Sequence, residues 1–384
     1  MENGSLSCHR KKIEDVLQEI SDCFIPLWRG VKHMHSTAKG TVVRRRDEDK
    51  MILNLDAKFP KEVLDMNASA DDRYIYCVTE KSIKIYDTEE KAIIHELKKL
   101  GNARTAVSED GRFLGCACPV RGAVQVTIYD TREGYEEAFK TVCPGEDSTV
   151  YPCFSFDSRF MMICNGETQE KVWAIDILNK KCECMYQCEE QTIVTNIDSN
   201  EFGILLSICH VGSLAQKSCH VYFETATSKP KIIPFDFQDI KDDFYRRCGE
   251  RLIFETHWLE KSKALIMYEA RGWNEAFQVV DFETIDKITP SVLYEIPYRM
   301  NSGIRLSKNR KYAACIASDF HEEKRKVEQR AYVFQTHDGQ EKLSRLMNTI
   351  WNVSFLNEKD ELLISGDAAE SISFASDAKG DVMI

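Results

Sequence analysis

Two short turn units recur along the chain in strict alternation, and that repetition constrains the fold more than any other feature. The first is a polar turn running into an apolar, β-prone stretch: Ser69–Tyr74, Ser108–Phe113, Ser155–Phe160 and Ser307–Tyr312. Degenerate copies stand at Ile197–Phe202, Leu259–Ala264 and Asn357–Leu362. The second unit ends an alternating stretch and opens a tight turn: Tyr86–Glu89, Tyr129–Arg132, Ile175–Leu178, Phe223–Ala226, Val280–Glu283, Phe334–His337 and Phe374–Asp377. One copy of either carries no weight, because Asp and Gly punctuate every turn. Seven alternating pairs mark a repeat architecture.

Between the units, stretches such as Ser82–Tyr86 and Val124–Ile128 alternate with period two and are rich in β-branched and aromatic residues, as half-buried strands are. Each repeat then holds four strands; in the first they are Val63–Asn67, Tyr74–Val78, Ser82–Tyr86 and Ala92–Lys98. Four-stranded repeats of this length are propeller blades. The expected fold is all-β: a seven-bladed β-propeller over 51–384, with blades near 62–100, 101–144, 148–190, 191–237, 251–297, 301–346 and 349–384. Residues 51–56 are expected to close the ring as an outer strand beside the last blade. Ahead of it, Ile13, Val16, Leu17, Ile20 and Phe24 recur at helical spacing. They predict a short N-terminal amphipathic helix, followed by a polar linker that ends near residue 50.

The units resemble the WD-repeat family of β-propellers in blade pattern, over about Val63 to Ile384. The chain departs from that family in two ways. The Gly-His pair that opens such a repeat is absent from all seven, and Trp-Asp is replaced by Tyr86-Asp87, Tyr129-Asp130 and looser variants. The family's His–Ser/Thr–Asp–Trp network is therefore not expected, and apolar packing is left to hold the blades together.

With 62 acidic and 51 basic side chains the net charge is -11, the wrong sign for a phosphate-backbone footprint, so nucleic acid is disfavoured. The 15 cysteines are odd in number and lie in apolar runs, as small buried hydrophobes do. No stretch approaches the ~18–20 apolar residues of a membrane span. A soluble, reduced, cytoplasmic protein is expected, and a nuclear location is not ruled out by these features.

Catalytic motifs are missing: no Gly-x-Ser-x-Gly elbow, phosphate-binding glycine loop or His-Glu-x-x-His is present. Cys182, Cys184 and Cys188 lack the second ligand pair of a zinc site; on one strand they would share a face that packs between blades. The expectation is a non-catalytic interaction scaffold with no cofactor or metal. The alternative is a propeller enzyme or small-molecule binder with its site in the central channel, since the fold hosts both.

For the scaffold, the loops between second and third strands and the connections between blades emerge at one end of the channel. Arg121, Arg271, Trp273 and His321 belong to the former, Arg104, Arg299 and Trp351 to the latter. Together they would form a basic, aromatic patch for an acidic or phosphorylated protein or peptide.

Overall fold

The computed structural model describes residues 52–54, 63–98, 103–145, 151–165, 171–210, 218–234, 252–260, 262–270, 275–284, 287–296, 298–300, 303–321, 326–347, 349–356, 361–366 and 370–373. Among the described residues every helix or strand is a strand, and the strands form six four-stranded sheets and one five-stranded sheet. In chain order the sheets occupy residues 65–98, 104–144, 151–187, 192–234, 252–296 and 299–347; the remaining sheet joins residues 350–373 to Ile52–Asn54. In the last of these, Ile52 stands opposite Ile372 and Asn54 opposite Glu370, antiparallel. The sheet at 299–347 has its first strand broken into Arg299–Met300 and Arg305–Leu306, both paired with Tyr312–His321.

Burial explains which strand goes where. Second strands such as Gly203–His210 are buried at every position, because each sheet is covered on both faces by its neighbours. Fourth strands such as Ala92–Lys98 are mostly exposed and carry Lys, Glu and His. First strands touch the first strands of adjacent sheets and so line the axis.

Apolar clusters join each sheet to the next. Ile83 and Leu114 share one cluster, Val126 and Met161 the next, then Met162 and Leu206, and Leu205 and Phe254. Phe277 stacks on Phe334 in the following one, Val333 and Val353 share another, and Leu363 and Met66 share the last, which returns the series to its start. The chain is an all-β propeller. Each fully buried side chain of this size contributes about 1.5–3 kcal/mol, so the clusters dominate the stability of the ring.

Apolar packing does not act alone. In four first units the leading Ser Oγ donates to the Asp or Asn two residues on, at 2.5 to 2.8 Å (Ser69–Asp71, Ser108–Asp110, Ser155–Asp157, Ser307–Asn309). The same Oγ accepts the N–H of the strand residue that closes the unit, as from Phe113 at 2.8 Å. The arginine of the unit then reaches the Asp of the following unit: Arg73 to Asp87 at 3.1 Å, Arg112 to Asp130 at 2.9 Å, Arg159 to Asp176 at 2.7 Å. Each guanidinium also lies over the next aromatic ring, Tyr74, Phe113 or Phe160. This clamp locks the two turns at one end of a single sheet; between sheets, bonds such as that from Asn67 Nδ2 to the Thr105 hydroxyl at 2.8 Å join the apolar clusters, which corrects the expectation that packing alone holds the blades.

The N-terminal helix and the last second unit, Phe374–Asp377, lie outside the described residues. The charged stretch around His321, read as a loop, is hairpin: Tyr312–His321 pairs with Lys326–Gln335 as far as His321 opposite Lys326. Its charged residues obscured alternation on a backbone that remains strand. Cys182 and Cys184 stand two residues apart on one face, opposite Ile175 and Trp173, but Cys188 does not share it. A bulge between Val172 and Trp173 inserts an extra residue into the partner strand, so Cys182 packs toward the second sheet and Cys188 toward the fourth, while Cys184 is exposed.

Candidate functional site

The fourth clear copy of the first turn unit breaks the clamp. Its arginine comes one place early: Ser307-Lys308-Asn309-Arg310-Lys311-Tyr312 has Arg at the fourth position and Lys at the fifth. The fourth position is left-handed in every clear copy, with φ 58° at Asp72, 68° at Gly111, 59° at Ser158 and 58° at Arg310. A long side chain there is uncommon and costs about 1–2 kcal/mol of backbone energy. It also points a different way. Arg310 Nη1 donates to Asp198 Oδ2 at 3.1 Å and to the Trp258 carbonyl at 3.2 Å, reaching two other sheets. Burial disfavours charge on Arg310, but the field and hydrogen bond of Asp198 outweigh it and raise its pKa further.

Asp198 is itself fully engaged. Oδ2 also accepts the Trp258 N–H at 2.7 Å, and Oδ1 accepts the Ser199 N–H at 2.8 Å. A second pair stands on the same inner wall. Arg305 Nη2 donates to Asp65 Oδ1 at 2.7 Å, while Asp65 Oδ2 accepts the N–H and hydroxyl of Thr105 at 2.9 and 3.1 Å. Asp65 is 1% exposed; the Arg305 side chain is 41% exposed.

Both arginines line a cavity of about 200 Å³ with Asn67, Thr105, Glu109, Ser155 and Asp198. These residues come from first strands of different sheets and the turns that follow them. Farther along the wall, Glu255 and His257 sit two residues apart on one inner strand, with His257 Nε2 3.6 Å from Glu255 Oε2. Asn196 Nδ2 is 3.3 Å from His257 Nδ1. Asn196 and Asp198 are likewise two residues apart, so this group lies one pleat repeat, roughly 7 Å, from the Arg310 pair. Among the described residues no three His, Cys, Asp or Glu side chains come together as a metal centre requires.

Of the residues expected to form a binding patch, Arg104 approaches the inner wall: Nη1 donates to the Leu64 carbonyl at 3.2 Å and lies 3.9 Å from Asp65. Arg121 is exposed in the turn after Phe113–Val120, at the opposite end of its sheet from Glu109. Arg299 lies in a short strand opposite Ser318, His321 at a strand end, and Trp351 at a bulge between Ile350 and Asn352. Arg271 and Trp273 lie outside the described residues. Sequence reasoning missed Asp65, Asp198, Arg305 and Arg310; the displaced arginine of the sixth repeat was the signal that could have found Arg310.

No family model matches the chain, and no curated protein matches it. Solved structures do. An oligogalacturonate lyase from Vibrio parahaemolyticus is similar at 12% identity over 85% of this chain and 94% of that chain, with a TM-score of 0.59. An oligogalacturonate lyase in complex with manganese is similar at 12% identity over 84% and 92%, with a TM-score of 0.56. Hydrazine synthase of Kuenenia stuttgartiensis is similar at 10% identity over 77% and 80%, with a TM-score of 0.45. The propeller is thus shared with enzymes, and WD-repeat membership is not shown. The expectation of a non-catalytic chain is corrected by the same finding. It rested on missing contiguous motifs, whereas a lyase has this fold at an identity too low for any motif to be compared.

Proposed function

We propose that this chain is a propeller enzyme or small-molecule binder whose site is the inner cavity, and that its ligand is a small molecule rich in hydrogen-bond acceptors, with at least one carboxylate. We read each sheet as a blade, the five-stranded one included, which makes seven with Ile52–Asn54 fastening the last to the start of the chain.

One observation carries the ligand class: two guanidinium forks at a wall whose buried carboxylates are already occupied. The Asp65 and Asp198 carboxylates are occupied by protein N–H and O–H groups. Arg305, by contrast, engages its carboxylate through Nη2, and Arg310 donates through Nη1. A guanidinium carries five N–H donors, arranged to meet a carboxylate in parallel pairs. The buried carboxylates fix the two forks and leave further donors at the cavity wall. At about 200 Å³ the cavity is below the ~300–1,000 Å³ of drug-sized pockets, a size that suits a monosaccharide. Galacturonate, the sugar acid in the name of the similar lyases, has this size and chemistry and is the first probe.

Calorimetric titration of the full chain with galacturonate tests the reading. Saturable binding is expected, weakened about tenfold or more by Arg305→Ala and by Arg310→Ala, as loss of a charged hydrogen bond predicts. Arg121→Ala, at the other end of its sheet, should leave it unchanged. Absence of binding, or binding indifferent to both inner-wall substitutions, overturns the proposal.

A further inference from the structure

Two cysteines far from the cavity meet between sheets. Cys143 lies in the outer strand Glu136–Pro144 and Cys182 in the outer strand Lys181–Gln187 of the next sheet. Their Sγ atoms are 3.3 Å apart, across 39 residues of sequence. Cys143 is fully buried against Val124 and Ile175; Cys182 packs on the rim of the same cluster and is half-buried. Other thiols differ in one respect or the other. Cys116 and Cys118 are 3.6 Å apart, but both are buried and lie on a single strand. Cys184 is exposed, but among the described residues no thiol is paired with it.

We propose that Cys143 and Cys182 are a site of reversible oxidation, forming a disulfide that staples the second sheet to the third when a peroxide reaches Cys182. The two thiols already approach more closely than unbonded contact requires, on strands held in place by the cluster beneath them. Their protons are unequally held. The hydrogen bond from Cys143 lowers the pKa of Cys182, against the effect of burial, while the same bond and burial raise that of Cys143. The thiolate, which is the nucleophile, therefore forms at the accessible sulfur.

The chemistry balances with hydrogen peroxide as oxidant. The Cys182 thiolate attacks one peroxide oxygen, the O–O bond breaks, and hydroxide leaves to be protonated to water. Cys182 is then a sulfenic acid. Cys143 sulfur attacks Cys182 sulfur, the S–S bond forms, the S–O bond breaks, and the second oxygen leaves as water with the Cys143 proton. Two thiols lose two electrons and two protons, and one peroxide becomes two waters.

The test uses the full chain, treated with hydrogen peroxide, alkylated and mapped by mass spectrometry. A cross-link between the peptides of Cys143 and Cys182 is expected, with a loss of about 2 Da that a dithiol reverses. Cys182→Ser should abolish the cross-link, and Cys184→Ser should retain it. The wild-type map requires no variant to fold. Overoxidised Cys182 with Cys143 still alkylatable, or a cross-link joining other cysteines in preference, overturns the proposal.

Discussion

Arg310 Nη1 lies 3.1 Å from Asp198 Oδ2, although one residue belongs to the sixth sheet in chain order and the other to the fourth. The Trp258 carbonyl of the fifth sheet, 3.2 Å away, completes a bridge across three sheets. The bridge holds Arg310 in a left-handed conformation that no other long basic side chain adopts in a clear first unit.

Two opposing terms can be separated at that position. Arg310→Ala removes the bridge and keeps the backbone cost; Arg310→Gly removes both. Asp198 retains its two N–H donors in either variant, so the loss for Ala should be about 1–3 kcal/mol. The Gly variant should be more stable than the Ala variant by about 1 kcal/mol. Urea denaturation of the pair checks this, and equal stabilities would mean that the turn carries no strain.

The repeated clamp makes acid stability depend on its carboxylates. Burial alone would raise the Asp176 pKa, but the Arg159 guanidinium and the two Asn179 donors outweigh it and hold it at about 2. A carboxylate depressed in the folded state stabilises fully above its unfolded pKa near 3.8 and loses that contribution as pH falls toward 2. The Arg159 side chain is 41% exposed, so solvent screens the pair and its contribution is small. Arg159→Gln should lower stability slightly at pH 7 and by less at pH 2.5, read from urea midpoints at the two pH values.

What could be read in the sequence follows from how local the signal is. The strands expected for the first repeat, at Tyr74–Val78 and Ala92–Lys98, are those observed, because alternation and turn chemistry are encoded within a few residues. The Arg159–Asp176 clamp was visible as Ser-x-Asp-x-Arg followed by a second Asp, but pairing residues 17 apart requires the sheet to be built first. The cavity was out of reach. Asp65 and Arg305 are 240 residues apart, and nothing near either one announces the other. Charge also misled: the stretch around His321 reads as loop by composition, yet Asp319 stands opposite Glu328 and His321 opposite Lys326 in a regular antiparallel pairing.

His220 supplies a second, separate acid sensitivity. It is fully buried with Nε2 2.8 Å from the Thr256 hydroxyl and its ring against Phe254 and Phe282. Burial lowers its pKa to about 3, so the folded state holds it neutral. Below the unfolded value near 6.5, protonation favours the unfolded chain, and stability falls by about 1.4 kcal/mol for each pH unit until the folded pKa is reached. Above 6.5 this contribution is fully present. His220→Gln should be less stable at pH 7 but flatter between pH 6.5 and 4. A variant with the wild-type slope would assign the acid loss to other groups.

The pairing of Ile52–Asn54 with Glu370–Ser373 covers what would be an open sheet edge. Removing residues 1–56 should expose the backbone donors and acceptors of Glu370–Ser373. The truncated chain should melt at lower temperature and aggregate at lower concentration. Calorimetry and light scattering of the two chains test this, and identical melting would show that the terminal strand adds nothing to the ring.

Gly366 gives the sharpest steric prediction. It stands opposite Ile350, where Trp351 bulges from the pairing. A Cβ at Gly366 would run into the Thr349 carbonyl oxygen, with the Thr349 carbonyl carbon at 3.0 Å and Ile350 Cα at 3.2 Å. All three are backbone atoms in a bulge, so no side-chain rotation relieves the overlap. Gly366→Ala should cost about 1–3 kcal/mol, the range for overpacking a fitted site. Gly122 is the control. Its φ of 72° is left-handed, but a Cβ there would meet nothing within 4 Å. Gly122→Asn, a residue that tolerates left-handed turns, should therefore cost less than about 1 kcal/mol. Chemical denaturation of both variants decides the matter: a Gly366→Ala protein as stable as Gly122→Asn would mean that the bulge can open to admit a side chain.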